Sequence, residues 1–110
     1  AVFEGRRVKK ERVRKMDFDD ERVVFVDGSR LHFPLIVRNR REGDRYQPLG
    51  SPGKKKLKEI MRAKSIPLAE RERRPIFLSG HEIIWVLGLP VAEKFKIQES
   101  TDDIFMISKS

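Results

Sequence analysis

Pro75-Ile76-Phe77-Leu78-Ser79-Gly80-His81-Glu82-Ile83-Ile84-Trp85-Val86-Leu87 is the stretch that decides the fold. Two apolar runs, rich in β-branched and aromatic residues, flank Ser79-Gly80-His81, which is the signature of a β-hairpin. The returning run, Ile83 to Leu87, is almost continuously apolar, and a strand of that kind is buried on both faces. Gly88 and Pro90 then stop it. Trp85, set among isoleucines and valine, belongs to the core rather than to a base-stacking platform.

Working outward from this hairpin, Ile104-Phe105-Met106-Ile107 gives a last strand after the acidic Glu99 to Asp103 segment. Upstream, Lys54 to Lys64 predicts a helix. Leu57, Ile60, Met61 and Lys64 follow the i, i+3, i+4, i+7 spacing of one inward stripe, while Lys55, Lys58, Glu59 and Arg62 face away. Ser65-Ile66-Pro67 breaks that helix, and Pro67 opens a second short one through Leu68 to Arg71 that Pro75 ends. Asn39 to Gly53 carries glycines and prolines without apolar periodicity. It is a loop, and long loops in compact domains are functional or disordered.

Further upstream, Val23-Val24-Phe25-Val26 runs into Asp27-Gly28, a strong two-residue turn signal, and Leu31 to Arg38 alternates imperfectly beyond it. We expect a hairpin here, with Leu31, Phe33, Leu35 and Val37 on one side and Pro34 marking an edge or bulge. Phe25, Phe33, Phe77 and Phe105 are expected in the core. The first twenty residues, with Val2, Phe3, Val8 and Val13 as sparse apolar points, form an edge strand or a connector. Strands, two helices, then strands specify an α+β chain with a mainly antiparallel β-sheet and one or two short helices.

The 110 residues are about one domain's worth, and we take residues 1–110 as a single domain. Twenty-five Lys and Arg oppose 17 Asp and Glu, a formal charge of +8. Between Arg38 and Arg74 there are 13 basic residues against five acidic ones, whereas the remainder is neutral. One third of the chain thus holds the whole excess, which points to a polyanion, nucleic acid before membrane headgroups. No apolar run approaches the ~18 residues of a spanning helix. Cysteine is absent, which excludes disulfides and thiolate metal sites and fits a cytoplasmic setting.

Lys54, Lys55, Lys56 and Lys58 fall at the predicted start of a helix, where cations oppose the helix dipole. The arrangement is sensible if a phosphate docks there on free N–H and ammonium groups; the alternative is a Lys-rich turn that is merely soluble. Strand alternation sends Arg38 and Arg40 to one face, and with Arg45 their guanidinium groups can grip phosphate. The alternative is that some pair with Glu42 or Asp44. Only Tyr46 is aromatic within the basic segment, so backbone recognition fits better than base stacking. There is no Walker loop, Gly-rich nucleotide fingerprint or cluster of metal ligands, so we expect no catalytic, cofactor or metal site within the chain.

Arg38-x-Arg40-x-x-Gly43-Asp44-Arg45, Pro48-x-Gly50-x-x-Gly53, Lys55-Lys56-Leu57-Lys58, Ile66-Pro67, Arg71, Pro75 and Ile84-Trp85-Val86-x-Gly88 resemble, in order, the C-terminal domain of tRNA(Ile)-lysidine synthetases. The match runs from about Leu35 to Phe95, and residues 1–34 join the same domain only through the hairpin expected above. The resemblance implies a β-sandwich-like fold akin to a domain of the phenylalanyl-tRNA synthetase β subunit. It also implies an enzyme that uses ATP to activate the wobble cytidine of tRNA(Ile) and lysine to displace AMP. That chemistry belongs to a separate N-terminal domain with a Ser-Gly-Gly-x-Asp-Ser loop, a form this chain lacks. The C-terminal domain is then expected to hold the tRNA acceptor region through Arg38, Arg40, Arg45, Lys54, Lys55, Lys56 and Lys58, with Lys64 and Arg71 as weaker candidates. Rival expectations are a structural domain docking on the catalytic domain or a second subunit, and a non-specific nucleic-acid binder.

Overall fold

The computed structural model describes residues 3–13 and 19–109. Val2 lies outside the described residues. The hairpin around Ser79-Gly80-His81 forms as its composition dictates. Strand β6 (Ile76–Ser79) and strand β7 (Glu82–Val86) pair antiparallel, with Phe77 opposite Trp85 and Leu78 opposite Ile83, so that Ile84 bulges between them. Gly80 takes φ +61° at the turn, a conformation that L side chains adopt at a cost. Ile83, Ile84, Trp85 and Val86 are all buried, which is the two-faced burial their unbroken apolar run requires. The Trp85 ring stacks on Phe77 with centroids 5.2 Å apart and donates its indole N–H to the Leu89 carbonyl at 3.0 Å.

The final strand, β8 (Ile104–Lys109), is the middle of a second antiparallel sheet. It is flanked by β1 (Phe3–Val8) on one side and β2 (Val23–Asp27) on the other. The central hairpin extends in turn to β3 (Ile36–Arg38), giving the order β3-β6-β7 with β3 at the edge. Val24, Val26, Phe105 and Ile107 join Phe77, Trp85 and Leu57 in one apolar core.

The expected hairpin between Val23–Val26 and Leu31–Arg38 does not form. β2 pairs with β8, and β3 pairs with β6, so the chain crosses from one sheet to the other between them. Asp27-Gly28 makes a helical turn instead of a strand reversal. The Asp27 carboxylate accepts from the Ser29 N–H at 3.1 Å and the Ser29 hydroxyl at 2.6 Å, while the Gly28 N–H donates to the Asp103 carbonyl at 2.7 Å. A β-carbon at Gly28 would sit 2.8 Å from Asp103 Oδ1, so a larger residue there would have to push the Asp103 carboxyl aside. Phe33, expected in the core, is 52% exposed because it lies on this crossing, ahead of the strand.

Helix α1 is Leu57–Ala63, three residues later at its start than the expected Lys54. Leu57, Ile60 and Met61 are buried as their spacing demands, but Lys64 is the exposed residue that caps the helix. The exit is a Schellman turn: Ser65 takes φ +55°, its N–H donates to the Arg62 carbonyl at 2.9 Å, and the Ile66 N–H donates to the Met61 carbonyl at 3.0 Å. Helix α2 (Leu68–Arg71) follows Pro67, whose carbonyl accepts from Glu70 and Arg71.

Candidate nucleic-acid interface

The basic segment is organised by a two-stranded ribbon that periodicity does not reveal. β4 (Arg45–Tyr46) and β5 (Lys55–Lys56) pair antiparallel, Arg45 opposite Lys56 and Tyr46 opposite Lys55. Tyr46 anchors the ribbon. Its ring is buried, its hydroxyl donates to the Pro90 carbonyl at 3.0 Å, and burial pushes its phenol far above the ordinary range.

The loop between the two strands is tied down rather than free. Leu49 N–H donates to the Val91 carbonyl at 2.8 Å, and the Gly50 N–H to Glu93 Oε1 at 3.1 Å. Gln47 Nε2 reaches the Ser51 carbonyl at 2.8 Å. Lys96 and the Gly50 N–H together hold the Glu93 carboxyl below the usual carboxylate range.

Lys54, Lys55 and Lys56 therefore precede the helix instead of opening it, and only Lys58 lies in its first turn. The Leu57 N–H is already committed to the Asp44 carbonyl at 2.9 Å. What the structure corrects is the placement of Lys54, Lys55 and Lys56 on the helix and the openness of its first N–H. The ribbon's backbone pairing straightens residues 55 and 56 before α1 can claim them.

Arg38 and Arg40 are likewise not the open phosphate grips that alternation suggested. Arg38 donates through both terminal nitrogens to the Asp44 carboxylate at 2.9 Å each, and its Nη1 also reaches the Asn39 carbonyl. Arg40 meets Glu72 at 2.7 Å and Glu42 at 3.7 Å. Both guanidinium groups are largely buried. Arg71 is half-buried, with Nε donating to the Ile66 carbonyl at 2.7 Å. These three arginines hold the chain together.

The remaining candidates face solvent. Among the described residues, Arg45, Lys54, Lys55, Lys56, Lys58 and Lys64 make no ion pair and no side-chain hydrogen bond, and all six are exposed. Arg45 and Lys56 are directly opposed across the ribbon, a like-charge pair that costs folding energy. Lys56, Lys58 and Arg62 line one shallow cleft of about 280 Å³ beside Glu59 and the Gly43-Asp44 turn. Arg62 is a member that sequence reasoning placed on the outer face and left out; its i, i+4 spacing from Lys58 was the available signal. Lys64 lines a different cleft, with Asp20, Glu21 and Trp85, and is not gathered with the others.

Among the described residues no group of three or more His, Cys, Asp or Glu is placed to hold a metal, and no helix is long and apolar enough to cross a membrane.

The site is thus a cationic ribbon and helix mounted on an antiparallel α+β body. That body shares its fold with an N-terminal fragment of the phenylalanyl-tRNA synthetase β subunit from Pyrococcus horikoshii, at TM-score 0.64 over 77% of this chain and 27% of that one. At 15% identity the likeness is one of fold alone.

The model of the TilS substrate C-terminal domain matches residues 35–107, and the chain belongs to that family. A crystal structure of a TilS C-terminal domain superposes at TM-score 0.79 with 29% identity, covering 96% of this chain and 80% of the other. The tRNA(Ile)-lysidine synthase of Caldanaerobacter subterraneus subsp. tengcongensis is 39% identical over 87 residues, 79% of this chain and 19% of that protein. The enzyme of Clostridium perfringens is 34% identical over 104 residues, 94% of this chain and 20% of the relative. The chain spans about a fifth of the length of the curated relatives it matches.

Proposed function

We propose that residues 1–110 form the tRNA-contacting C-terminal domain of a cytoplasmic tRNA(Ile)-lysidine synthetase. It holds tRNA(Ile) by the acceptor region while a separate N-terminal domain ligates lysine to the wobble cytidine with ATP. Its contribution is positional: fixing one end of the RNA raises the effective concentration of the other end at the distant active site. The observation that carries this reading is the set of exposed lysines on β5 and the start of α1, without carboxylate partners among the described residues. Without carboxylates paired to them, their charge is open to a polyanion. Arg45, Lys54, Lys55, Lys56, Lys58 and Arg62 are the proposed phosphate contacts, with Lys64 peripheral.

The test is the combined change Lys55→Ala, Lys56→Ala and Lys58→Ala. Affinity for tRNA(Ile) should fall, and the log–log salt slope should shrink by roughly 0.7–0.9 for each lysine that neutralises a phosphate. Unaltered affinity in a folded variant sinks the reading. A tRNA with a changed acceptor stem should bind more weakly; equal binding points to a non-specific module.

The docking alternative is favoured by a separate observation, the exposed Ile36 and Val37 on the edge strand β3, with the exposed Phe33 on the crossing just ahead of it. Under that reading an Ile36→Ser, Val37→Ser variant, and not the lysine variant, impairs the full-length enzyme.

A further inference from the structure

We propose that Glu59 reads the minor groove of an RNA stem, accepting a hydrogen bond from a guanine 2-amino group or a ribose 2′-hydroxyl. This contact rests on the reading of the lysine surface as an RNA site and adds a chemical preference to it. The shallow cleft beside the ribbon is lined by the cations Lys56, Lys58 and Arg62 and by three carboxylates, Glu42, Asp44 and Glu59. Asp44 is engaged by Arg38, and Glu42 lies 3.7 Å from Arg40. Glu59 is exposed and makes no ion pair and no side-chain hydrogen bond among the described residues. It stays open although Lys58 is its neighbour and Lys56 and Arg62 sit a helical turn away on either side.

A free carboxylate is out of place on a surface made for phosphates alone. The two anions repel, and at contact distance salt does not screen them. Glu59 lies in the first turn of α1, where an acid favours the helix dipole. The dipole would favour an acid at position 58 as well, yet lysine stands there. Once phosphates seat on Lys56, Lys58 and Arg62, the Glu59 carboxylate in the same cleft meets the same RNA.

An ionised carboxylate only accepts hydrogen bonds, so it requires a donor. The A-form minor groove is wide and shallow and displays 2′-hydroxyls and base edges, whereas the major groove is too deep and narrow for a side chain to read. Along the minor-groove edge guanine supplies an amino donor, while an adenine pair offers acceptors alone. Glu59 is therefore attracted to a guanine or ribose donor and repelled by an A·U edge. The cations supply strength, and the carboxylate supplies choice.

The experiment titrates the 110-residue chain with three RNA hairpins of matched length. One has a G·C stem. The second carries inosine for every stem guanine and so lacks the 2-amino group. The third keeps the G·C stem on 2′-fluoro riboses, which preserve the A-form and remove the 2′ donor. The parent chain should bind about fivefold more weakly to the hairpin that lacks its donor, and the hairpin that does so identifies which donor Glu59 takes. Glu59→Ala should bind all three alike, with an unchanged salt slope because no cation is removed. Emission from the buried Trp85 checks that this variant is folded. Equal affinity of the parent for the three hairpins overturns the proposal, and so does a preference that survives Glu59→Ala undiminished. Affinity for the G·C hairpin that survives Lys55→Ala, Lys56→Ala and Lys58→Ala together defeats instead the RNA reading of the surface, so the two failures are told apart.

Discussion

Arg38 and Asp44 meet through two hydrogen bonds of 2.9 Å, guanidinium to carboxylate, with both side chains largely buried. Asp44 also accepts the Arg41 N–H at 2.8 Å on its carboxylate and the Leu57 N–H at 2.9 Å on its carbonyl. One residue therefore joins the edge strand β3, the Arg41–Asp44 turn and the first N–H of α1. The lysine ribbon stands on this junction.

Replacing Asp44 with Asn removes the charge but keeps the shape. We expect a loss of about 2–3 kcal/mol, because a largely buried guanidinium is left without its counter-ion. Denaturant unfolding at neutral pH measures it, and a loss under ~0.5 kcal/mol, the usual scatter of surface substitutions, rejects the junction.

The same pair sets an acid limit. Burial pushes the Asp44 carboxyl up, but the hydrogen bonds from Arg38 and the Arg41 N–H together outweigh it and hold the group below its ordinary range. A carboxyl whose folded value is depressed contributes stability above its unfolded pKa of about 3.9 and loses it as pH falls through the folded value. Unfolding curves of the parent protein should therefore weaken below about pH 4, and those of the Asp44→Asn variant should weaken less over that interval.

Lys56 offers a trade between stability and binding. Lys56→Glu places a carboxylate opposite Arg45 and should raise stability by roughly 0.2–1 kcal/mol, while RNA affinity drops. Thermal melts and RNA titrations on the one variant test both signs; lower stability would remove the claim that the like-charge pair is a cost borne for binding.

Ser65 closes α1 in the left-handed conformation that glycine adopts without strain. Ser65→Gly should stabilise the domain by about 1 kcal/mol, with no change in RNA binding. A lower melting temperature would mean the serine has a compensating contact.

Trp85 is the chain's one tryptophan and is 2% exposed. Its emission should report unfolding and stay constant when RNA is added. A shift on titration with folded protein contradicts its assignment to the core.

Some of this architecture is written locally. The Ile76–Val86 hairpin and the inward stripe of α1 follow from residue periods of two and 3.6, which need no distant partner to interpret. The family resemblance rested on spaced motifs and agrees with the matched residues 35–107. The pairing of β2 was not legible, because Val23–Asp27 carries no mark distinguishing a neighbour at residue 31 from one at residue 104. The pairing of Arg38 with Asp44 was among the alternatives that the local sequence offered, but the main partner of Arg40 was not legible: Glu72 lies 32 positions from it in sequence and 2.7 Å away in space.

By itself, the chain's composition and order determined that it carries a concentrated positive charge on an antiparallel α+β body, since charge counts and hydrophobic periods are properties of neighbours. Only the tertiary structure decided which cations stay open to solvent. That choice depends on which carboxylates come within reach, Asp44 from the adjoining turn and Glu72 from a remote segment, and on two short strands, β4 and β5, too brief to have a period at all.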